Sequence, residues 1–244
     1  MKSKELFEKI MSDITMQDCL CDFKFRKRDS TLIATQEGYR RTIEFYHWSD
    51  ISTGKIMIRP IYGIKFDVLL NWFAKFSFSS KQDQKDNYDF GFESSMIGCF
   101  DDDFPFNLSG INYQTDYIDF EKTVLYCAEK VFSDYASLPM VYNKEIKPVL
   151  DGKKELPDIG IDWAFIDLTL CRIVAPQNYA KFKEIVMTRI EFLHSRNEPN
   201  LAFYYDRLDE IIGYMEGLTI EELKSSKIKR IGGTDTVLKT KQIK

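Results

Sequence analysis

Histidine is scarce in this chain of 244 residues: only His47 and His194 occur. A transition-metal site built on two imidazoles would need both, and nothing in the pattern brings them together. Cysteine offers no better ligand set. Cys19 and Cys21 form a CxC pair, not CxxC, and no second Cys or His pair lies at zinc-ribbon spacing. The odd count of five cysteines, irregularly spaced, argues against a disulfide framework and for a reducing compartment, so a cytoplasmic location is expected. Walker loops, GxGxxG turns and GxSxG elbows are missing. No apolar run approaches the ~20 residues of a membrane helix. The charged start "MKSKELFEKIMSDI" lacks the apolar stretch of a signal peptide. No membrane association is expected, and no internal repeat is visible.

Aromatic material, by contrast, is plentiful. With 19 Phe and 13 Tyr in a chain that is 44% hydrophobic, a substantial core is expected and disorder is excluded over most of the length. Residues 3–14 place Leu6, Phe7, Ile10, Met11 and Ile14 on one helical stripe. The period then changes to two. Phe23 and Phe25 alternate with Lys24, Arg26 and Arg28; Tyr39, Ile43 and Phe45 oppose Thr42, Glu44, Tyr46 and Trp48; Ile56, Ile58, Tyr62, Ile64 and Phe66 share a side. With "TLIATQ" between them, and turn signals near Arg28–Ser30, Glu37–Gly38 and Ser52–Gly54, these read as consecutive antiparallel strands. Pro60 donates no ladder bond, which predicts an edge strand or a bulge.

Asp67 is then placed to cap a helix burying Leu69, Trp72, Phe73 and Phe76. Residues 77–118 are too long for a structureless loop and are expected to hold short strands. From Asp119 a helical stripe runs through Phe120, Val124, Cys127, Ala128, Val131 and Tyr135. Residues 137–161 read as a connector. Residues 162–174 fit either period, and the helical segments after them favour helix. Pro176 and Pro199 each open a helix, and Thr219 with Glu222 forms a capping box. The fold class is therefore α+β: an antiparallel β-meander with flanking helices, then a mainly helical C-terminal half. The expected organisation is an α+β region over 1–118, a helical region over 119–224 packed on it or forming a second small domain, and a mobile basic tail over 225–244.

The short helix followed by "DFKFRKRDSTLIATQEGYRRTIEF" and "IRPIYGI" resembles small bacterial α+β families known only as domains of unknown function. Some of these are similar to immunity proteins encoded beside toxins. The likeness covers the first third of the chain and implies no catalytic residues.

Charge is unevenly placed. Residues 81–121 carry ten acids against Lys81 and Lys85, a balance of −8, whereas residues 225–244 carry six bases and one acid, a balance of +5. The triplet Asp101, Asp102 and Asp103 lies within "CFDDDFPFNLSG". An EF-hand starting at Asp101 would place Phe106 where glycine is required and Asn112 where the bidentate Glu belongs, so that motif is excluded. A solvated acidic loop over packed phenylalanines is the plain reading. The functional one is a grip for a basic protein partner, made by Asp101, Asp102, Asp103, Asp89 and Glu93. Neither metal nor cofactor is assigned. Two alternatives stand beside it. One is a carboxylate-based enzyme assembled from Asp101, Asp103, Asp158 and Asp162. The other is nucleic-acid binding through Lys24, Arg26, Arg28 and Arg40 on a basic sheet face flanked by Tyr46 and Trp48, which the overall pI of 5.4 disfavours.

Overall fold

The computed structural model describes residues 3–50, 53–77, 86–97, 106–156, 161–196 and 204–225, the side chains of residues 161 and 162 excepted. Helix α1 (Ser3–Thr15) buries Leu6, Ile10, Met11 and Ile14, the stripe its spacing predicts. Strands β1 (Lys24–Arg26), β2 (Thr31–Gln36), β3 (Tyr39–Asp50) and β4 (Lys55–Phe66) follow, each antiparallel to the next. Gly38 and Gly54, at φ of 72° and 66°, make the two tight turns around β3.

Period two sorts the sheet into two faces. Leu32, Ile43 and Tyr62 stand in register across β2, β3 and β4 and are fully buried on the helix side. Thr31, Glu44 and Ile61 form the adjacent row on the opposite face.

The segment after β4 carries α2 (Asp67–Leu70) and a 3-10 turn, Asn71–Lys75. Together with Phe76 they bury Leu69, Trp72 and Phe73, as the spacing predicts; Asp67 is the first helical residue, and no side chain caps this helix. Two short strands then return to β4: β5 (Phe90–Glu93) opposite Ile61–Ile64, and β6 (Phe106–Leu108) opposite Ile56–Ile58. The proline expectation is corrected in an informative way. β4 is an interior strand, with β3 on one side and β5 and β6 on the other. Among the described residues, the pairings of these two partners cover Ile61–Ile64 and Ile56–Ile58 and none stands opposite Arg59 and Pro60, where a missing N–H costs the ladder least.

Helix α3 (Tyr113–Asp134) begins earlier than expected and buries Phe120, Val124, Cys127, Ala128 and Val131 against the sheet. Residues 137–156 are not a plain connector: α4 (Leu138–Glu145) and α5 (Lys147–Leu150) occupy much of them, each with its proline in the first turn, where no N–H is needed. The ambiguous stretch is helix α6 (Ile161–Val174). Helix α7 (Tyr179–Ser195) follows a 3-10 turn at Pro176. Pro199 lies outside the described residues, and α8 (Leu208–Gly217) starts well after it. Helix α9 (Ile220–Ser225) has the expected box: Glu222 N–H donates to Thr219 Oγ1 at 3.1 Å and Thr219 N–H to Glu222 Oε2 at 2.7 Å.

Buried side chains from both halves form one continuous cluster. Phe106 meets Phe120 edge-on at 5.3 Å, Phe73 meets Phe165 at 4.9 Å, and Trp72 Nε1 donates to Thr169 Oγ1 at 2.9 Å. Among the described residues no helix is long and apolar enough to cross a membrane. The basic tail beyond Ser225 lies outside the described residues.

Candidate functional site

A cleft of about 570 Å³ opens beside the polar face of the sheet, in the size range of ligand sites. Alternation along β3 carries Thr42, Glu44 and Tyr46 to that face. Arg26, Thr31 and Glu44 stand in register across β1, β2 and β3. Asp29, Asp86, Asn87, Tyr88 and Trp163 complete much of the lining.

The residues from Asp86 to Asp89 lie across the polar face as a strap. Arg26 Nη1 donates to Asp86 Oδ1 at 3.0 Å and Arg28 Nη2 to Asp86 Oδ2 at 2.6 Å. Arg40 Nη2 donates to the Asp86 and Asn87 carbonyls at 2.9 and 2.8 Å, and Lys65 Nζ reaches the Asn87 carbonyl at 3.1 Å. The Tyr88 ring settles where Gly63 of β4 faces Gly91 of β5. A Cβ on Gly63 would stand 2.7 Å from the ring, so glycine is needed for this close approach.

The rim beside Asp29 is held in an unusual conformation. Ser30 is left-handed, with φ of 54°, and its carbonyl accepts the Phe45 N–H at 3.0 Å. Arg26 Nε donates to Asp29 Oδ1 at 2.8 Å. Burial opposes ionisation of Asp29, but hydrogen bonds and the charge of Arg26 outweigh it and hold the carboxyl below its ordinary range. Glu44 behaves differently. Burial raises its pKa and the neighbouring Asp29 charge adds to the effect, while a hydrogen bond from the Tyr46 hydroxyl and the charges of Arg26 and Arg40 oppose it. Among the described residues Glu44 makes no ion pair. Tyr88 is pushed up to about 12, first by burial and then by the nearby Glu44, Tyr46 and Glu93.

Of the sequence-derived site residues, Asp101, Asp102, Asp103 and Asp158 lie outside the described residues, and Asp162 is described only as part of the first turn of α6. Asp89 is not on the surface: it is 1% exposed, and its Oδ2 accepts the Phe66 N–H at 2.5 Å. Its place in a partner grip is therefore corrected; this last residue of the strap, beside Lys65 of β4, is turned inward. Glu93 accepts from Arg59 Nε at 3.0 Å on the same face as Glu44. Arg26, Arg28 and Arg40 do come together, but on carboxylates and carbonyls of their own chain, while Lys24 stands exposed on β1. His47, on the strand face that carries Ile43 and Phe45, is exposed and stacked on Phe7 at 3.7 Å, and His194 at the end of α7 stacks on Tyr205 at 3.5 Å. Among the described residues no group of three His, Cys, Asp or Glu is placed to hold a metal.

Glu44 as the floor, and Asp86 and Tyr88 as the strap, escaped the sequence reading. The available signal was a glycine inside an alternating strand, Gly63, which marks a close approach by something not yet identified. Comparison with protein-family models, with curated proteins and with solved structures found no match to this chain.

Proposed function

We propose that the protein is a non-enzymatic interaction protein, immunity-like in its logic, that binds a basic protein partner through an anionic surface. The observation carrying this reading is the separation of charge, −8 over residues 81–121 against +5 over residues 225–244. Internal contacts reduce the acids available: Asp86 and Glu93 are paired with arginines, Asp89 is buried, and Asp116 accepts the Ser109 N–H at 2.9 Å. The grip therefore falls to Asp101, Asp102 and Asp103, and to the acidic cleft around Glu44. If the partner is a nucleic-acid-cleaving toxin, carboxylates imitating phosphates explain the acidity, and long-range attraction speeds encounter. The odd number of cysteines supports a cytoplasmic setting.

The test is capture of the partner by the tagged full chain, beside an Asp101→Asn/Asp102→Asn/Asp103→Asn variant, followed by association kinetics across ionic strength. The expected result is a stoichiometric basic partner, weakened in the variant. Its association rate should fall by roughly tenfold or more between low and high salt. Salt-independent association, equal retention by the variant, or an empty capture overturns the reading.

A further inference from the structure

We propose that the cleft on the polar face of the sheet receives an arginine side chain presented by the partner, with Glu44 as counter-ion and the rings of Tyr46 and Tyr88 as walls. This deepens the preceding reading and rests on it.

The sign of the ligand follows from the lining. Three carboxylates, Asp29, Glu44 and Asp86, face one guanidinium, Arg26, and that guanidinium is already bonded to both Asp29 and Asp86. Arg28 closes on Asp86 as well. An incoming anion would have to break these pairs and then sit beside Glu44. An incoming cation has to break nothing. Glu44 is half-buried, it accepts a hydrogen bond from the Tyr46 hydroxyl, and among the described residues it makes no ion pair. The guanidiniums whose charges reach Glu44, Arg26 and Arg40, are bonded to other groups, so this half-buried carboxylate is under-compensated and a cation placed over it restores the balance.

The walls select among cations. Tyr46 is two residues along β3 from Glu44 and remains 54% exposed, so its ring is available to an incoming group. Tyr88 lines the cleft from the strap, on its glycine seat. Trp163, from the start of α6, adds a third aromatic side chain. A guanidinium stacks on aromatic faces and offers a planar fork to a carboxylate; an ammonium is more strongly hydrated and lacks the fork. Divalent metal is not the ligand of choice, because the three carboxylates are not grouped for it.

The site is also built in advance. Gly63 and Gly91 let the Tyr88 ring lie down before any ligand arrives, and the left-handed Ser30 sets Asp29 beside Thr31. Strained backbone of this kind persists where its surroundings over-determine it, often beside a binding site. Little reorganisation then remains to oppose binding.

The test is a titration of N-acetyl-arginine amide and of its neutral isostere N-acetyl-citrulline amide into the isotope-labelled full chain, followed by amide chemical shifts. The expected result is saturable binding of the arginine compound, centred on Glu44, Tyr46 and Tyr88. Binding should be roughly tenfold or more weaker for citrulline and for Glu44→Gln, whose unchanged distant resonances report an intact fold. If Glu44→Gln does not fold, the arginine-to-citrulline ratio on the wild-type chain decides. Equal binding of the two compounds, equal binding by a folded Glu44→Gln, shifts centred elsewhere, or no binding overturns the proposal. A salt-steered partner that ignores Glu44→Gln leaves the interaction reading standing and removes the cleft. Arginine bound in the cleft with no partner captured does the reverse.

Discussion

Asp89 shares a cross-strand neighbourhood with Lys65 and Arg40, yet burial pushes its pKa up to about 7 against their attraction and that of the Phe66 N–H. Asp167, also buried, reaches about 7 for the same first reason, with the Glu145 charge adding to it. The folded chain thus holds these protons more tightly than the unfolded chain. Their contribution to stability is complete below the ordinary Asp value and is lost as pH rises towards 7. Each unit of difference corresponds to ~1.4 kcal/mol, so roughly 2–3 kcal/mol per residue disappears between pH 5 and pH 7. Asp89→Asn keeps an acceptor for Phe66 and removes the titration. Urea denaturation at several pH values should show a shallower decline for Asp89→Asn than for wild type; superimposable declines would contradict the assignment.

Among the elements, the strap depends on two glycines as much as on its arginines. The Arg26–Asp86 and Arg28–Asp86 pairs are partly solvated and contribute at most ~1 kcal/mol each. A methyl group at Gly63 meets both the Tyr88 ring and the Thr42 hydroxyl, so both must shift to admit it. Gly63→Ala should cost roughly 1–3 kcal/mol and accelerate amide exchange in residues 86–89 while sparing α7. Uniform or unchanged exchange would show that the strap is held otherwise. This element also marks the limit of what the sequence discloses. Alternation identifies β2, β3 and β4, and helical stripes identify α1, α3 and α7, because each buries one regular face. The strap has no period. It is held by partners from β1, β3, β4 and β5, and only the fold brings them together. Residues 137–156 mislead for a related reason: Pro139 and Pro148 read as breakers, whereas in a first turn they start helices.

For the whole molecule, the decisive contact is the aromatic junction between the two parts of the chain. Phe165 of α6 is fully buried and lies against Trp72, Phe73 and Tyr204. With one continuous core, loss of this ring should weaken sheet and helices together. Phe165→Ala should cost ~3–5 kcal/mol and lower a single calorimetric transition by roughly 10 °C. Two separated transitions, with only the later one shifted, would show that the helical part melts independently.

The separate anchoring of β5 and β6 on β4 has a consequence for how this chain can diversify. β5 and β6 are each anchored on β4, by Ile61 to Ile64 and by Ile56 to Ile58, so neither relies on the other for its register. Changes of chain length between residues 98 and 105 leave both anchors in place, because each strand takes its register from β4 and not from the other. The stretch bearing Asp101, Asp102 and Asp103 is consequently a position where reach and acidity can drift under selection while the sheet is inherited unchanged.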